Sequence, residues 1–334
     1  MAESLTGESI AKKTGLPTVR RELPQGTQAR SCAELLAEFK SPAKADSWML
    51  EFGSMGGRDV YNITAPFNFD GKTLLAGRVE KREAELSEII FFEKISTSRW
   101  SPCFRQGEFH GLQDPCVTWA GNELVLGGVR YPVPTADGGQ TYLMEFYKGK
   151  TLHHLRHFLT GPAGMKDIRF KQLQDGRVAV FSRPQGAMGG RGQIGFTIAP
   201  SWENITSEMI QNAPLFQGQF LTEEWGGANE VHQLANGHLG LLGHIARFDQ
   251  RGDRHYYPMA FTVNPITRES SEIKIIAQRS LFPAGPSKRP DIADVVFSGG
   301  LVRQDGGTAE LYAGVSDAAA AVVKLPDPFF EFEN

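Results

Sequence analysis

Asn229-Glu230-Val231-His232-Gln233-Leu234-Ala235-Asn236-Gly237-His238-Leu239-Gly240-Leu241-Leu242-Gly243-His244 decides the fold. It begins polar, turns apolar toward an Asn-Gly dipeptide, and returns through a short apolar strand to a histidine. Asp-Gly or Asn-Gly between alternating apolar runs is the strongest short-range hairpin signal. The pattern recurs four more times. Asp70-Gly71 runs to Arg78 and Glu80, Ala120-Gly121-Asn122 to Arg130, Asp175-Gly176 to Arg183, and Asp305-Gly306-Gly307 to Asp317. Successive copies lie roughly 50–70 residues apart, about one propeller blade with its loops. The spacing predicts an all-β fold, a five-bladed β-propeller, with a central funnel as the place to look for function.

The segment before each turn carries the polar residues. In a propeller the innermost strand of each blade runs beside the axis, so its polar end opens into the funnel and its apolar end packs between blades. That register predicts Asn62, Asp114, Asp167, Arg169, Asn229, Glu230, His232, Asp294 and Ser298 around one cavity. The strands after the turns bring Arg78, Glu80, Arg130, Arg183, His244 and Asp317 nearby.

Outside the repeats the chain reads simply. Residues 1–45 form an N-terminal extension, a polar lead-in with one short amphipathic helix over residues 31–40, and residues 46–334 form the propeller. The 334 residues are 40% hydrophobic and 22% charged, with a net charge of −3, which gives no electrostatic reason to expect nucleic acid or an anionic membrane. Three scattered cysteines, none in a CxxC pair, exclude a disulfide framework and a zinc or dithiol motif. The N-terminus has basic residues but no apolar h-region, and no apolar run is long enough to span a bilayer. The cytoplasm is the expected compartment.

Gln113-Asp114-Pro115 is the sharpest motif. Pro115 biases Asp114 toward extended backbone, and a carboxyl held at a strand start facing a funnel can act as a general acid. Lys166-Asp167-Ile168-Arg169 and Ser182-Arg183-Pro184 supply dense positive charge, and arginines grip tetrahedral oxyanions in bidentate fashion. Trp225-Gly226-Gly227-Ala228-Asn229-Glu230-Val231-His232 mixes an aromatic ring with hydrogen-bonding side chains, which suits a sugar stacked on a ring face. His153, His154 and His157 cluster without acidic or cysteine partners, so no metal site is expected there. Gly189-Gly190-Arg191-Gly192 lacks the Lys-Ser/Thr of a P-loop and reads as a loop near the funnel mouth. Ser287-Lys288-Arg289-Pro290 reads as a solvated basic loop.

Taken in order, Leu112-Gln113-Asp114-Pro115, Lys166-Asp167 with Ser182-Arg183-Pro184, the run from Asp294 to Val302, and Leu311-Tyr312-Ala313-Gly314-Val315-Ser316-Asp317 resemble a known series. It is that of the five-bladed mannoside phosphorylases of glycoside hydrolase family 130. Closer still is the likeness to their relatives in glycosyltransferase family 108, once a family of unknown function. The resemblance covers about residues 50–325. It implies Asp114 as the proton donor and a basic site for the phosphate that attacks the anomeric carbon with inversion. The implied phosphate ligands are Arg78, Arg130, Lys166, Arg169, Arg183 and His232. The implied sugar ligands are Asn62, Asp167, Trp225, Asn229, Glu230, His244, Asp294 and Asp317. The implied partners are mannose, β-1,2-manno-oligosaccharides, inorganic phosphate or mannose 1-phosphate, with GDP-mannose as a second donor, and neither cofactor nor metal. One departure is that Gln113 and Cys116 flank Asp114-Pro115 where family 130 usually has Glu and Arg. This favours the transferase relatives and leaves Arg78, Arg82, Arg130, Lys166, Arg169 and Arg183 as candidates for the missing cation.

Two other functions fit the same residues. An inverting hydrolase needs a second carboxylate across from Asp114, about 6.5–9.5 Å away, and Asp167, Glu230 and Asp317 are available. A glycan-binding propeller would depend on Trp225 and not on Asp114.

Overall fold

The computed structural model describes residues 28–42, 45–103 and 109–333, so most of the expected polar lead-in lies outside the described residues. The chain is nearly all-β. It opens with a helix, α1 (Cys32–Glu38), started by a capping box between Ser31 and Glu34. Two short strands follow, β1 (Ser47–Met49) and β2 (Glu51–Phe52).

Five antiparallel units come next. The first holds β3 (Asp59–Tyr61), β4 (Phe67–Phe69), β5 (Lys72–Glu80), β6 (Glu88–Lys94), β7 (Arg99–Pro102) and β8 (Phe109–His110). The second is a four-stranded meander of β9 (Leu112–Ala120), β10 (Glu123–Pro134), β11 (Gln140–Gly149) and β12 (Arg156–Thr160). The third holds β13 (Arg169–Gln172), β14 (Val178–Ser182) and β15 (Gly195–Ala199), followed by the short helix α2 (Ser207–Gln211). The fourth holds β16 (Trp225–Gln233), β17 (Leu239–Phe248), β18 (Arg254–Val263) and β19 (Lys274–Ile275). The fifth holds β20 (Asp294–Gln304), β21 (Thr308–Val315) and β22 (Ala319–Pro326). A two-residue parallel pairing of β18 with β20 joins the fourth unit to the fifth.

The apolar residues close these units into a cycle. Because side chains alternate faces along a strand, each sheet is apolar on both sides. In β5, Leu74 and Ala76 pack toward Leu112, Leu124 and Leu126 of the second unit. Their neighbours Leu75 and Val79 pack toward Tyr312 and Val322 of the fifth. Equivalent cores join the second unit to the third through Phe146 and Phe170, the third to the fourth through Phe181 and Leu241, and the fourth to the fifth through Leu242 and Val296. The N-terminal strands bridge the remaining seam. β1 pairs antiparallel with β22, and β2 pairs parallel with β7.

The same register sets the polar ends of the inner strands. The β9–β10 ladder slips between Gly127 and Val129, the β16–β17 ladder between Ala228 and Glu230, and the β20–β21 ladder between Ser298 and Gly300. Such bulges re-aim a side chain. Asn62, Asp114 and Asp167 carry positive φ values of 44°, 48° and 57°. Asp114 is therefore left-handed, and the extended backbone expected from the following proline is corrected: the bulge decides the local conformation. Asn and Asp tolerate this region better than other non-glycine residues.

Candidate active site

A cavity of about 300 Å³ lies where the polar ends of all five units meet, and it has two poles. At the first, Asp114 Oδ1 accepts hydrogen bonds from Asn62 Nδ2 at 2.8 Å and from Arg78 Nη1 at 3.2 Å. Arg78 is itself held by Glu80 at 2.9 Å and lies over the Tyr61 ring. Glu80 also accepts from Tyr61 Oη and from Lys288 Nζ. Asp317, on the turn after β21, joins this pole. Burial pushes its carboxyl above the ordinary range; Arg78 opposes that shift, and the neighbouring Asp114 charge adds to it.

The second pole comes from the third and fourth units. Arg183, only 2% exposed, donates from Nε to the Gly226 carbonyl at 2.9 Å and lies 3.4 Å from Asp167 Oδ2. His244 stands 4.0 Å from the same oxygen, and its Nδ1 bonds Asn229 Oδ1 at 2.8 Å. Burial alone would raise the Asp167 carboxyl, but Arg183, His244, Lys166 and Arg169 hold it below the ordinary range. Burial also lowers the His244 imidazole to about 3, with Arg183, Lys166 and Arg169 overcoming the pull of Asp167. Gly227 makes the close approach possible, since a Cβ there would stand 2.8 Å from Asp167 Oδ2 and 3.0 Å from Arg183 Cδ. Lys166, Arg254 and Tyr256 complete this wall.

The three shared residues Lys166, Arg254 and Tyr256 open into an annex of about 250 Å³. Its other walls are Tyr142, Arg183, Gln185, Arg191, Trp225 and Phe248. Trp225 is buried, donates from Nε1 to Tyr256 Oη at 3.1 Å, and packs on Phe248 with ring centroids 4.9 Å apart. It offers no free face for a stacked sugar, contrary to the sequence-based expectation; the exposed ring is that of Phe248.

The structure thus brings Asn62, Arg78, Asp114, Lys166, Asp167, His244 and Asp317 to the cavity, with Arg183 behind Asp167. Eight expected residues lie elsewhere, two of them Ser298, fully buried with its hydroxyl donating to the Gly243 carbonyl at 2.7 Å, and the candidate cation Arg82, paired with Asp59 at 2.7 Å. Arg130 turns away to Glu145 at 2.6 Å. Asp294 is held by His255 at 2.6 Å and by Tyr257, at the β18–β20 seam. Arg169 is buried, donating from Nε to the Asn229 carbonyl at 2.6 Å, and Asn229 supports His244 from behind. Glu230 and His232 pair with each other at 2.8 Å, and Glu230 also accepts from the Leu301 amide. Arg169, at the start of β13, and Glu230, just past the β16–β17 bulge, sit where the alternation turns their side chains away from the cavity. The reading of Lys288 as part of a solvated loop is corrected too, because its ammonium is buried against Glu80 and the Ala84 carbonyl. Sequence reasoning missed Arg254 and Tyr256, which begin a third strand rather than a first or second. The histidine cluster lies on the outer side, where His154 bonds Thr151 and His157 bonds Thr160.

Solved structures share this architecture. The chain is 34% identical to MPT-4, a mannose phosphorylase from Leishmania mexicana in complex with phosphate ion, covering 90% of this chain and 93% of that one with a TM-score of 0.80. It is 29% identical to MPT-1, a GDP-Man-dependent mannosyltransferase from the same organism, covering 88% and 93% with a TM-score of 0.78. The β-1,2-mannobiose phosphorylase of Listeria innocua, at 14% identity over 88% of this chain and 94% of that one, and a TM-score of 0.54, shares the fold alone. No curated protein matches the chain. The protein is an enzyme of the glycosyltransferase and phosphorylase class. Within that class, residues 37–331 match the family described as "Protein of unknown function (DUF1861)", and the chain belongs to it.

Proposed function

We propose that this chain is an inverting mannosyl phosphorylase and transferase acting on β-1,2-linked manno-oligosaccharides in the funnel of a five-bladed β-propeller. The propeller reading rests on the five units and the five shared cores that close them into a cycle. Residues 46–334 form the catalytic domain, with α1 docked on the core between the third and fourth units through Cys32 and Leu35.

The observation that carries the reaction is one cavity rich in cations that faces a single hydrogen-bonded carboxyl: Asp114, held by Asn62 and Arg78, lies across from Lys166 and Arg254, with Arg183 behind Asp167. Both hydrogen bonds to Asp114 fall on Oδ1, which leaves Oδ2 for proton transfer. In phosphorolysis the cationic pole holds phosphate, one of its oxygens bonds to the anomeric carbon, and the glycosidic bond breaks. Asp114 supplies the proton that the departing sugar oxygen takes up. In synthesis the acceptor hydroxyl gives its proton to Asp114, and the same cations stabilise the leaving phosphate. Asn62 and Asp317, beside Asp114, hold the sugar hydroxyls. Neutral His244 faces the phosphate without competing for it by charge.

Hydrolysis is disfavoured by the state of the three candidate bases. Asp167 is neutralised by Arg183, Glu230 points out of the cavity to His232, and Asp317 shares the pole of Asp114 rather than facing it. The test is product analysis with β-1,2-mannotriose and inorganic phosphate. Mannose 1-phosphate should form only when phosphate is present. Asp114→Asn should lower the rate by roughly 10²–10⁴-fold with an unchanged melting temperature. Free mannose independent of phosphate, or a fully active Asp114→Asn variant, would overturn the assignment.

A further inference from the structure

We propose that Asp294 and His255 are positioning residues, a clamp at the head of β18 that keeps Arg254 aimed at the phosphate in the cavity. This rests on the reading above that the cationic pole holds phosphate. Strand alternation is the first argument. Arg254 and Tyr256 line the cavity, so His255 and Tyr257 point to the other face of β18. There they meet one carboxylate. His255 Nδ1 lies 2.6 Å from Asp294 Oδ2, and Tyr257 Oη donates to the same oxygen at 3.2 Å. Burial pushes the Tyr257 hydroxyl up, which keeps it a donor. His255 Nε2 lies 3.6 Å from Asp249, whose Oδ1 accepts the Arg251 and Asp253 amides of the β17–β18 turn at 2.8 and 2.9 Å. The imidazole therefore stands between the turn that starts β18 and the first residue of β20. The cavity is lined by Ile292 and Val295, to either side of Asp294, and not by Asp294 itself.

Need is the second. Among the described residues no hydrogen bond or ion pair holds the Arg254 guanidinium, which rests 5.9 Å from the Phe248 ring centroid. Its aim is set by the backbone. At the head of β18 that backbone has a full ladder on one edge, where Phe248 pairs with Arg254 and Arg247 with His255. On the other edge only His255 and Tyr256 pair, with Asp294 and Val295, and β19 joins no earlier than Met259. The Asp294 carboxylate reinforces this short seam with side-chain bonds from His255 and Tyr257. Tyr256 depends on the clamp less, because Trp225 Nε1 donates to its hydroxyl and His244 stacks on its ring with centroids 5.3 Å apart.

Selectivity follows from position. A guanidinium displaced by an ångström loses its bidentate grip on phosphate. Asp114 keeps Asn62 and Arg78 whatever happens at β18, since all three come from the first and second units. Loosening the clamp therefore weakens phosphate capture and spares proton transfer and the sugar.

The test is steady-state phosphorolysis of β-1,2-mannotriose by the full-length protein, with phosphate and trisaccharide varied in turn. Asp294→Ala should raise the KM for phosphate roughly ten-fold, with kcat and the KM for trisaccharide within about two-fold of wild type. Asp294→Asn keeps an acceptor oxygen for His255 and Tyr257 and should restore most of that loss. In an Arg254→Ala background, Asp294→Ala should add less than about two-fold, because the side chain it acts through is gone. Thermal melts check folding. If Asp294→Ala melts early, Tyr257→Phe, which deletes one bond to the carboxylate, carries the prediction at roughly three-fold. A raised KM for trisaccharide with that for phosphate unchanged would make Asp294 a sugar ligand and overturn the clamp. So would an effect on phosphate that persists in full without Arg254. A wild type that forms no mannose 1-phosphate would instead remove the underlying reading.

Discussion

His244 shows how the residues at the cationic pole set one another's charge. Its imidazole titrates near pH 3 in the folded protein and near 6.5 when exposed. Between those values the unfolded chain binds a proton that the folded one does not, so stability is full above about 6.5 and is lost as pH falls toward 3. Asp167, held low by Arg183, adds a further loss only below the ordinary carboxylate range. In the upper half of this window His244 acts against Asp317 and Glu224, whose raised carboxyls take up protons first in the folded chain. Replacing it with Asn, which has nothing to titrate there, should flatten urea midpoints between about pH 6.5 and 4.5 while leaving the steeper fall below pH 4. An acid limb of unchanged slope would mean that His244 takes up its proton as readily in the folded protein as in the unfolded one, so that burial does not hold it neutral. The sequence showed His244 through its place at the end of a repeat, and Asp114 through the Asp-Pro pair in register with the turn. It did not show that Asp114 is left-handed, because a bulge is a relation between two strands. Arg254 and Tyr256 were illegible for a similar reason: nothing in Arg254-His255-Tyr256-Tyr257 says which end of a third strand faces the axis.

At the scale of elements, the connection between β19 and β20 straps the fifth unit to the first. Lys288 reaches Glu80 at the end of β5, lies 3.2 Å from Glu85, and donates to the Ala84 carbonyl at 2.9 Å. Glu80 also steadies Arg78 and, through it, Asp114. Removing one partner of a buried pair leaves an uncompensated charge, so Lys288→Met should lower unfolding free energy by about 3 kcal/mol. Adding Glu80→Gln should recover part of that loss, since the orphaned carboxylate is then gone. Both stabilities follow from denaturant melts, and a double variant as weak as the sum of the singles would refute the coupling. The inner strands were legible because their apolar ends alternate toward hairpin turns. The strap was not: Ser287-Lys288-Arg289-Pro290 has the composition of a solvated loop, and the partner that buries Lys288 lies some two hundred residues away.

The molecule as a whole depends on its N-terminal strands. Every unit supplies part of the cavity: Asn62 and Arg78 from the first, Asp114 from the second, Asp167 from the third, His244 from the fourth and Asp317 from the fifth. Such a site survives only while the cycle stays shut. The seam between fifth and first units is covered by β1 on the edge of β22 and by β2 on β7, with Leu50 in the shared core between them. On the far side, α1 places Cys32 and Leu35 in the core of the third and fourth units, and the Cys32 amide donates to Glu224 Oε1 at 2.8 Å. Deleting residues 1–52 would strip both attachments and expose the edge of β22, an unpaired strand that templates association. Each fully buried aliphatic side chain lost removes roughly 1.5–3 kcal/mol. The truncated protein should therefore melt at clearly lower urea concentration, form soluble oligomers in size exclusion, and lose turnover although no cavity residue has been touched. A monomer with wild-type midpoint and activity would show that the five shared cores hold the cycle closed without the N-terminal strands.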